Sequence, residues 1–345
     1  MKKVIISLLL SIIFLSCFVL WIFFGSTTSF SENEKTIVVA EENISKNDLL
    51  KLLVDEKIIS TPFLFEKIGN QLKIWDRVKF GKFKVKKGES ILGIARMLKN
   101  NKQAEYNLVI NKLRTTNDLA KLISKNFSSD SNTVIKTLSN PHVLAEIHSD
   151  SNTLFFNIIP NTYSFFWSTS VEKIVEKLAV ESIKFWDVNN RKEKADALGL
   201  TPLQVYIIAS IVEEETNNEA EKGNVASVYI NRLRIGMPLG ADPTVKFALK
   251  DFALRRILSK HTKINSPYNT YKNKGLPPGP ICTPSIKTID AVLNSPKSNY
   301  LFFVANADMS GSHHFSINFV EHSKYAALYH TALTKYLAEK EKFTH

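Results

Sequence analysis

Three kinds of hydrophobic pattern follow one another along the chain. From Val4 to Phe24 almost every position is apolar, with Lys2 and Lys3 before the run and Gly25, Ser26, Thr27 and Thr28 after it. The run has roughly the ~20 residues that cross a bilayer as a helix, and no small-residue cleavage site follows a short apolar core, so it predicts an uncleaved anchor. Lysines on its N-terminal side place residues 1–3 in the cytoplasm and the chain beyond Gly25 outside. Phe14-Leu15-Ser16-Cys17 approximates a lipid-attachment box, but the apolar run continues from Phe18 to Phe24, which argues against processing there.

After a polar linker over 25–35, short apolar strands alternate with amphipathic helices. Thr36–Val39 with Ser45–Ile59, Phe83–Val85 with Ser90–Leu98, and Asn107–Ile110 with Thr116–Ile123 share one strand, turn and helix layout. Ser45, Ser90 and Thr116 are suited to cap the three helices. A helical connector follows over 129–153. Farther on, the spacing predicts helices over Val171–Trp186, Leu203–Val212 and Asn224–Arg234, then a hairpin from Tyr300–Ala305 and His314–Ile317. A closing helix over Phe319–Phe343 is expected to turn Tyr325, Tyr329, Leu333 and Tyr336 inward. The fold class is therefore α+β: an N-terminal membrane helix over 4–24, a small α/β region over 36–128, and a larger mixed α+β domain over 154–345.

Composition narrows the partners. The 345 residues are 44% hydrophobic and 23% charged, which describes a globular chain able to hold two or three domains. The net charge of +12 suits an anionic surface or an acidic polymer. No tract interleaves Lys/Arg clusters with aromatics, so nucleic acid is not an expected partner. The two cysteines, Cys17 and Cys282, form no disulfide framework, and no Cys/His spacing resembles a metal site. His313 and His314 are adjacent and would point apart on a strand. Neither metal nor organic cofactor is expected.

The chemistry gathers where the apolar helix after Leu203 ends on Glu213, Glu214, Glu215 and Thr216. Positions three, four and seven apart share a helical face, so Glu215 lies in line with Val212, Ile211 and Ile208, while Glu213 follows Ser210, Ala209 and Tyr206. Glu215 is the carboxylate expected to be desolvated, and desolvation raises a carboxyl pKa until the group can donate a proton near neutrality. The alternative is a solvated polar cap, although glutamates at a helix C-terminus oppose the dipole.

Several stretches in register carry a family resemblance. Ala209-Ser-Ile-Val-Glu-Glu-Glu-Thr216, Val225-Ala-Ser-Val-Tyr-Ile-Asn-Arg-Leu-Arg-Ile-Gly-Met-Pro-Leu239, Ala241-Asp-Pro-Thr-Val245, Ser266-Pro-Tyr-Asn-Thr-Tyr271 and Gly275-Leu-Pro-Pro-Gly-Pro-Ile281 together resemble the YceG-like endolytic murein transglycosylases. Two departures stand out: Asn161 in Pro160-Asn-Thr-Tyr163 replaces a usual Asp, and Gly240 replaces a usual Gln or similar residue. Phe83-Lys-Val-Lys-Lys-Gly-Glu-Ser-Ile-Leu-Gly-Ile-Ala95 is similar to the opening of a LysM module, with a plain packed α/β unit as the alternative.

The resemblance implies that one glutamate protonates a glycosidic oxygen and then, as a carboxylate, takes the proton of the C6 hydroxyl of N-acetylmuramic acid, leaving a 1,6-anhydro end. Glu215 is the expected acid, with Glu213 as fallback. Tyr229, Asn231, Arg232, Asp242, Thr244, Tyr268, Asn269, Thr270 and Tyr271 are expected to bind substrate, and His314 to line the site; Thr244 is alternatively a helix cap. The Pro-rich run Gly275–Pro280 is either a rigid cleft wall or a locked connector. Implied partners are peptidoglycan glycan strands, the inner-membrane bilayer through 4–24, and peptidoglycan synthases. The rival readings are a non-catalytic glycan-binding scaffold that recruits synthases, and a hydrolase that leaves reducing ends.

Overall fold

The computed structural model describes residues 2–254 and 256–342. It is mixed α+β, with fourteen α-helices and three two-stranded sheets among the described residues. The chain divides into two compact units: the first runs through Leu108 and adds 126–128 and 164–170, and the second comprises 109–125, 129–163 and 171 onward.

The first unit begins with a continuous helix, α1 (Lys2–Phe24), whose apolar stretch is Ile5–Cys17. Among the described residues no single helix is long and apolar enough to cross a membrane. The expected span over 4–24 is thus helical throughout, but its C-terminal end is not purely lipid-like, because Phe23 packs on the core of this unit. That core forms between the antiparallel strands β1 (Glu34–Val39) and β2 (Gly81–Lys86) and the helices α2 (Lys46–Asp55), α3 (Pro62–Leu72) and α4 (Ile91–Lys99). Period-two alternation turns Ile37, Val39, Phe83 and Val85 inward onto Leu49, Leu53, Ile94 and Leu98, all essentially inaccessible to water. Ser45 and Ser90 cap α2 and α4 as expected, accepting from the Asp48 and Gly93 amides at 3.2 and 3.1 Å.

The third strand and helix do not repeat this layout. Strand β3 (Glu105–Val109) pairs with β4 (Thr162–Phe166) rather than with β1 or β2, and helix α5 (Thr116–Asn126) belongs mainly to the second unit. The cap of α5 is Thr115, not Thr116: Thr115 Oγ1 accepts from the Asp118 amide at 3.1 Å while the Asp118 carboxylate accepts from the Thr115 amide at 2.9 Å. This reciprocal arrangement satisfies two donors that a cap at Thr116 would leave open.

The second unit holds α6 (Ser131–Leu138), α7 (Pro141–Glu146), α8 (Val171–Asp187), α9 (Arg191–Ala197), α10 (Pro202–Glu215), α11 (Lys222–Arg234), α12 (Asp242–Leu249) and α13 (Ile286–Leu293). The hairpin β5 (Phe302–Ala305) and β6 (His313–Ser316) and the last helix α14 (Phe319–Lys342) complete it. Helix α10 is its centre. A capping box of Thr201 and Gln204 starts it, and every residue from Val205 to Val212 is buried against α11, α12 and α13. Each large aliphatic side chain buried this way contributes roughly 1.5–3 kcal/mol, which explains why this helix needs no polar face.

Some expectations fail for local reasons. The connector is two helices rather than one, because Asn140 caps a new start at Pro141. Asp242 is the first residue of α12, and Ala241 in extended conformation is the N-cap. Thr244 is therefore inside the helix and caps nothing. In α14, Tyr325, Tyr329 and Leu333 are half-buried but Tyr336 is 49% exposed, contrary to its expected inward position. The hairpin that α14 packs on has four-residue strands, about 13 Å long, against about 36 Å of helix, so the second half overruns its support. Phe343 lies outside the described residues.

Candidate active site

Helix α10 delivers its three glutamates in three directions. Glu213 Oε2 accepts from Lys222 Nζ at 3.2 Å and Ser285 Oγ at 3.0 Å, and also from the Thr288 hydroxyl. Burial alone would raise the Glu213 pKa, but the Thr288 hydrogen bond and the Lys222 charge prevail and hold it below the usual carboxylate range. Glu214 is bridged by Arg114, whose Nε and Nη2 donate to the two carboxylate oxygens at 3.1 and 3.0 Å, and by Lys112 at 3.3 Å. Both side chains are thus paired with cations that the rest of the unit supplies.

Glu215 has no such partner. It is the last residue of α10, and the chain leaves through Thr216 in extended conformation. Its Oε1 accepts from the Tyr229 hydroxyl at 2.5 Å, and Tyr229 is itself only 1% exposed on the returning helix α11. Burial drives the Glu215 pKa up to about 7; the Tyr229 hydrogen bond pulls against that and the nearby Asp242 charge adds to it. A carboxyl with that pKa is half protonated near neutrality and can serve as acid and as base in turn.

The glutamate opens on a cavity of about 580 Å³. Tyr229, Arg232, Gly240, Asp242 and Tyr271 supply its polar and backbone surface, and Met237, Pro238, Phe302, Phe303, Phe319 and His322 the remainder. Arg232 is locked in place by donating from Nε to the Leu301 carbonyl at 2.7 Å and by lying 5.3 Å from the Phe302 ring. The Tyr271 hydroxyl donates to Asp242 Oδ1 at 2.6 Å, which ties the loop before α13 to the start of α12. Gly240 has φ +58°, a left-handed conformation that explains a glycine where relatives of this kind are expected to carry a larger residue. Among the described residues no group of three or more His, Cys, Asp or Glu side chains is placed to hold a metal ion.

A family model described as the YceG-like family matches residues 38–327. The chain belongs to the YceG-like family. It is 35% identical over 189 residues to a Bacillus subtilis protein named endolytic murein transglycosylase, a match covering 54% of this chain and 48% of the relative. A Streptococcus pneumoniae protein of the same name is 31% identical over 174 residues, covering 49% of this chain and 31% of the relative. The chain thus spans half or less of the length of these curated relatives. The crystal structure of a YceG-like protein from Listeria monocytogenes superposes with a TM-score of 0.56 at 26% identity, covering 85% of this chain and 99% of that one.

Within this YceG-like chain the expected site residues separate into distinct groups. Glu215, Tyr229, Arg232, Asp242 and Tyr271 come together on the cavity. Asn231, Thr244, Asn269 and Thr270 are framework. Asn231 Nδ2 donates to the Ser298 and Tyr300 carbonyls, buried Asn269 braces its loop by donating to the Thr262 and Ile264 carbonyls, and buried Thr244 and Thr270 share a 2.9 Å hydroxyl hydrogen bond. Tyr268 faces a separate cavity of about 410 Å³, where its ring packs on Phe247 at 4.6 Å. His314 is not on the site cavity, because alternation along β6 sends it to stack on Tyr325 of α14 at 3.4 Å and towards Glu321. Glu213 is engaged by Lys222 and Thr288 and does not line the cavity either. Asn161 is an exposed turn residue whose Oδ1 accepts from the Thr162 amide, so its exchange for Asp touches no chemistry at the cavity.

Sequence reasoning did not reach Met237, Pro238, Phe302, Phe303, Phe319 and His322. The Met237-Pro238 pair stood inside a quoted motif, and its place there was the available signal. The other four lie on the hairpin and α14, which pack on each other and reach α11 through β5.

Proposed function

We propose that this chain is a lytic transglycosylase that cleaves the β-1,4 bond between N-acetylmuramic acid and N-acetylglucosamine inside peptidoglycan strands, leaving 1,6-anhydro ends. The observation that carries the reading is Glu215: one carboxyl with a pKa of about 7, held by a tyrosine hydroxyl on a cavity of about 580 Å³. Protonated, it delivers its proton to the glycosidic oxygen. As the carboxylate it then removes the C6 hydroxyl proton, and ring closure by that oxygen replaces attack by water. The names of the Bacillus and Streptococcus relatives agree with this chemistry.

The exposed apolar helix Ile5–Cys17, continuous with the rest of α1, is read as the single-pass attachment to the inner membrane, with the bulk of the chain outside. The unit built on β1 and β2 is read as the LysM-like region beside it. So attached, the enzyme would cut nascent strands near the synthases that extrude them and end their elongation.

A second reading has one observation in its favour. Asp242 also lines the cavity, and two carboxylates flanking a sugar are the equipment of a glycoside hydrolase. Mass spectrometry of peptidoglycan digested by the full chain in detergent separates the readings. Anhydro-ended fragments that disappear with Glu215→Gln are expected; reducing ends would make the protein a hydrolase, and no fragments at all would favour a glycan-binding scaffold.

A further inference from the structure

Among the described residues His322 is the histidine that lines the Glu215 cavity, and its imidazole is held there by ring contacts alone. Its Nδ1 is closed off from water without a hydrogen-bond partner. The backbone amide of His322 donates to the Asn318 carbonyl at 3.2 Å, so the residue's place in α14 is secured without the side chain. The ring lies nearly parallel to Phe302 at 5.2 Å and 6.1 Å from Phe319, while Phe302 and Phe319 meet edge to face at 5.9 Å. Two phenylalanines therefore hold an imidazole in one orientation on the wall of a substrate cavity. Nδ1 is sealed inside the fold, whereas Nε2 is not among the sealed nitrogens and is the ring nitrogen left to the cavity that His322 lines.

The protonation of the ring follows from its surroundings. Burial lowers the His322 pKa, and the positive charge of Arg232 lowers it further, so the ring is neutral at neutral pH. A neutral imidazole carries one hydrogen. Leaving a buried N–H unpaired is less tolerable than leaving an acceptor lone pair unpaired, so the closed-off Nδ1 is the bare nitrogen and Nε2 carries the hydrogen. The cavity is thus offered one neutral N–H donor framed by two aromatic faces. A sugar hydroxyl could accept from it but would leave the aromatic frame without a complement. An acetamido group matches both, with a carbonyl oxygen for the donor and a methyl for the phenyl rings.

We propose that His322, Phe302 and Phe319 form the subsite that reads the N-acetyl group of a glycan unit, His322 Nε2 donating to the acetamido carbonyl while the two rings enclose its methyl. Met237 and Pro238 extend the apolar wall of the same cavity. This rests on the glycan reading above and adds a specificity to it. A de-N-acetylated sugar lacks the carbonyl and the methyl, and the ammonium it carries instead has no lone pair to accept from His322 Nε2. The protein therefore discriminates against strands whose amino sugars have lost their acetyl groups.

The test is calorimetric binding of the N-acetylglucosamine tetramer and its fully de-N-acetylated counterpart to the full chain in detergent, with Glu215→Gln as the background so that nothing is turned over. The acetylated ligand is expected to bind about tenfold tighter or more, the effect of one well-placed hydrogen bond in a desolvated site. Adding His322→Phe keeps the aromatic packing and should abolish the preference. Adding His322→Gln, whose amide can reach the place of Nε2, should keep most of it, whereas His322→Asn, which reaches only the place of Nδ1, should not. Equal binding of the two ligands, binding of neither, or a preference that survives His322→Phe in a chain with an unchanged circular dichroism spectrum overturns the subsite. Cleavage to anhydro ends without acetyl preference would overturn the subsite alone; acetyl-selective binding without cleavage would overturn the proposed activity alone.

Discussion

The two sides of the end of α10 make the most informative comparison in this molecule. On one side Glu213 and Glu214 meet Lys222, Lys112 and Arg114, and Glu213 is held below the usual carboxylate range. On the other Glu215 meets a phenol and aromatic walls, and its pKa rises to about 7. The three residues are identical and consecutive. What separates them is the supply of cations: the α11 start and the segment at 112–114 feed one side, and the other receives Arg232 only after that guanidinium has been committed to backbone carbonyls. A shared backbone position costs the glutamates nothing in individuality, because each successive residue turns about 100° around the helix.

Substitutions on the two sides should have opposite signatures. The largest effect is expected at Glu215: Glu215→Gln should reduce the release of anhydro-ended fragments by about 10³-fold, the scale of removing an acid/base group, while the chain keeps its circular dichroism spectrum. On the cationic side the loss should be in stability instead. The Lys222 side chain is 3% exposed, Glu213 is its buried partner and Glu219, its other one, is 55% exposed, so Glu213→Gln should cost roughly 1–3 kcal/mol in denaturant unfolding by leaving that ammonium with the exposed carboxylate alone. Equal stability of the variant would break the comparison.

The raised pKa also makes stability depend on pH. Glu215 binds its proton more tightly in the folded state than in the unfolded one, whose carboxyl lies near 4.5. Its contribution is therefore fully present below about pH 4.5 and is lost as pH rises through about 7. Glu215→Gln has no proton to lose, so its stability relative to the parent should increase over that window by an amount on the order of 2–3 kcal/mol and then level off; urea titrations at several pH values measure it.

Smaller effects sharpen the picture. The Tyr229 hydrogen bond favours the ionised form, so Tyr229→Phe should move the alkaline limb of kcat/KM upward by about half to one pH unit. A downward move would mean that the tyrosine favours the protonated form. The smallest change is expected for Arg114→Ala, whose guanidinium is over a third exposed: unfolding should shift by less than about 1 kcal/mol, with activity nearly intact.

Much of this organisation was legible before any coordinates. The largely apolar run 203–212 identified the buried helix, because the eight positions 205–212, with no polar residue beyond Ser210, leave no solvated face. Helical phase then singled out Glu215. The positions that failed did so where a residue's partner lies far away in sequence. Tyr268 and Tyr271 looked equivalent in one loop, yet only Tyr271 reaches Asp242 and the cavity. Asn231 looked like a ligand for sugar hydroxyls and instead satisfies the Ser298 and Tyr300 carbonyls, sixty-seven and sixty-nine residues away.

By itself the sequence determined which helix is central, which of its carboxyls is desolvated, and where most strands and helices run, because those follow from short-range periodicity and from the local competition for backbone hydrogen bonds. Only the tertiary structure decided that Phe302, Phe303, Phe319 and His322 stand opposite Glu215. No period or spacing encodes that meeting; it is produced by the packing of a hairpin on α11 and of the terminal helix on that hairpin, whose driving force, the burial of apolar surface, is without direction and leaves its choice of partners to the shapes that fit.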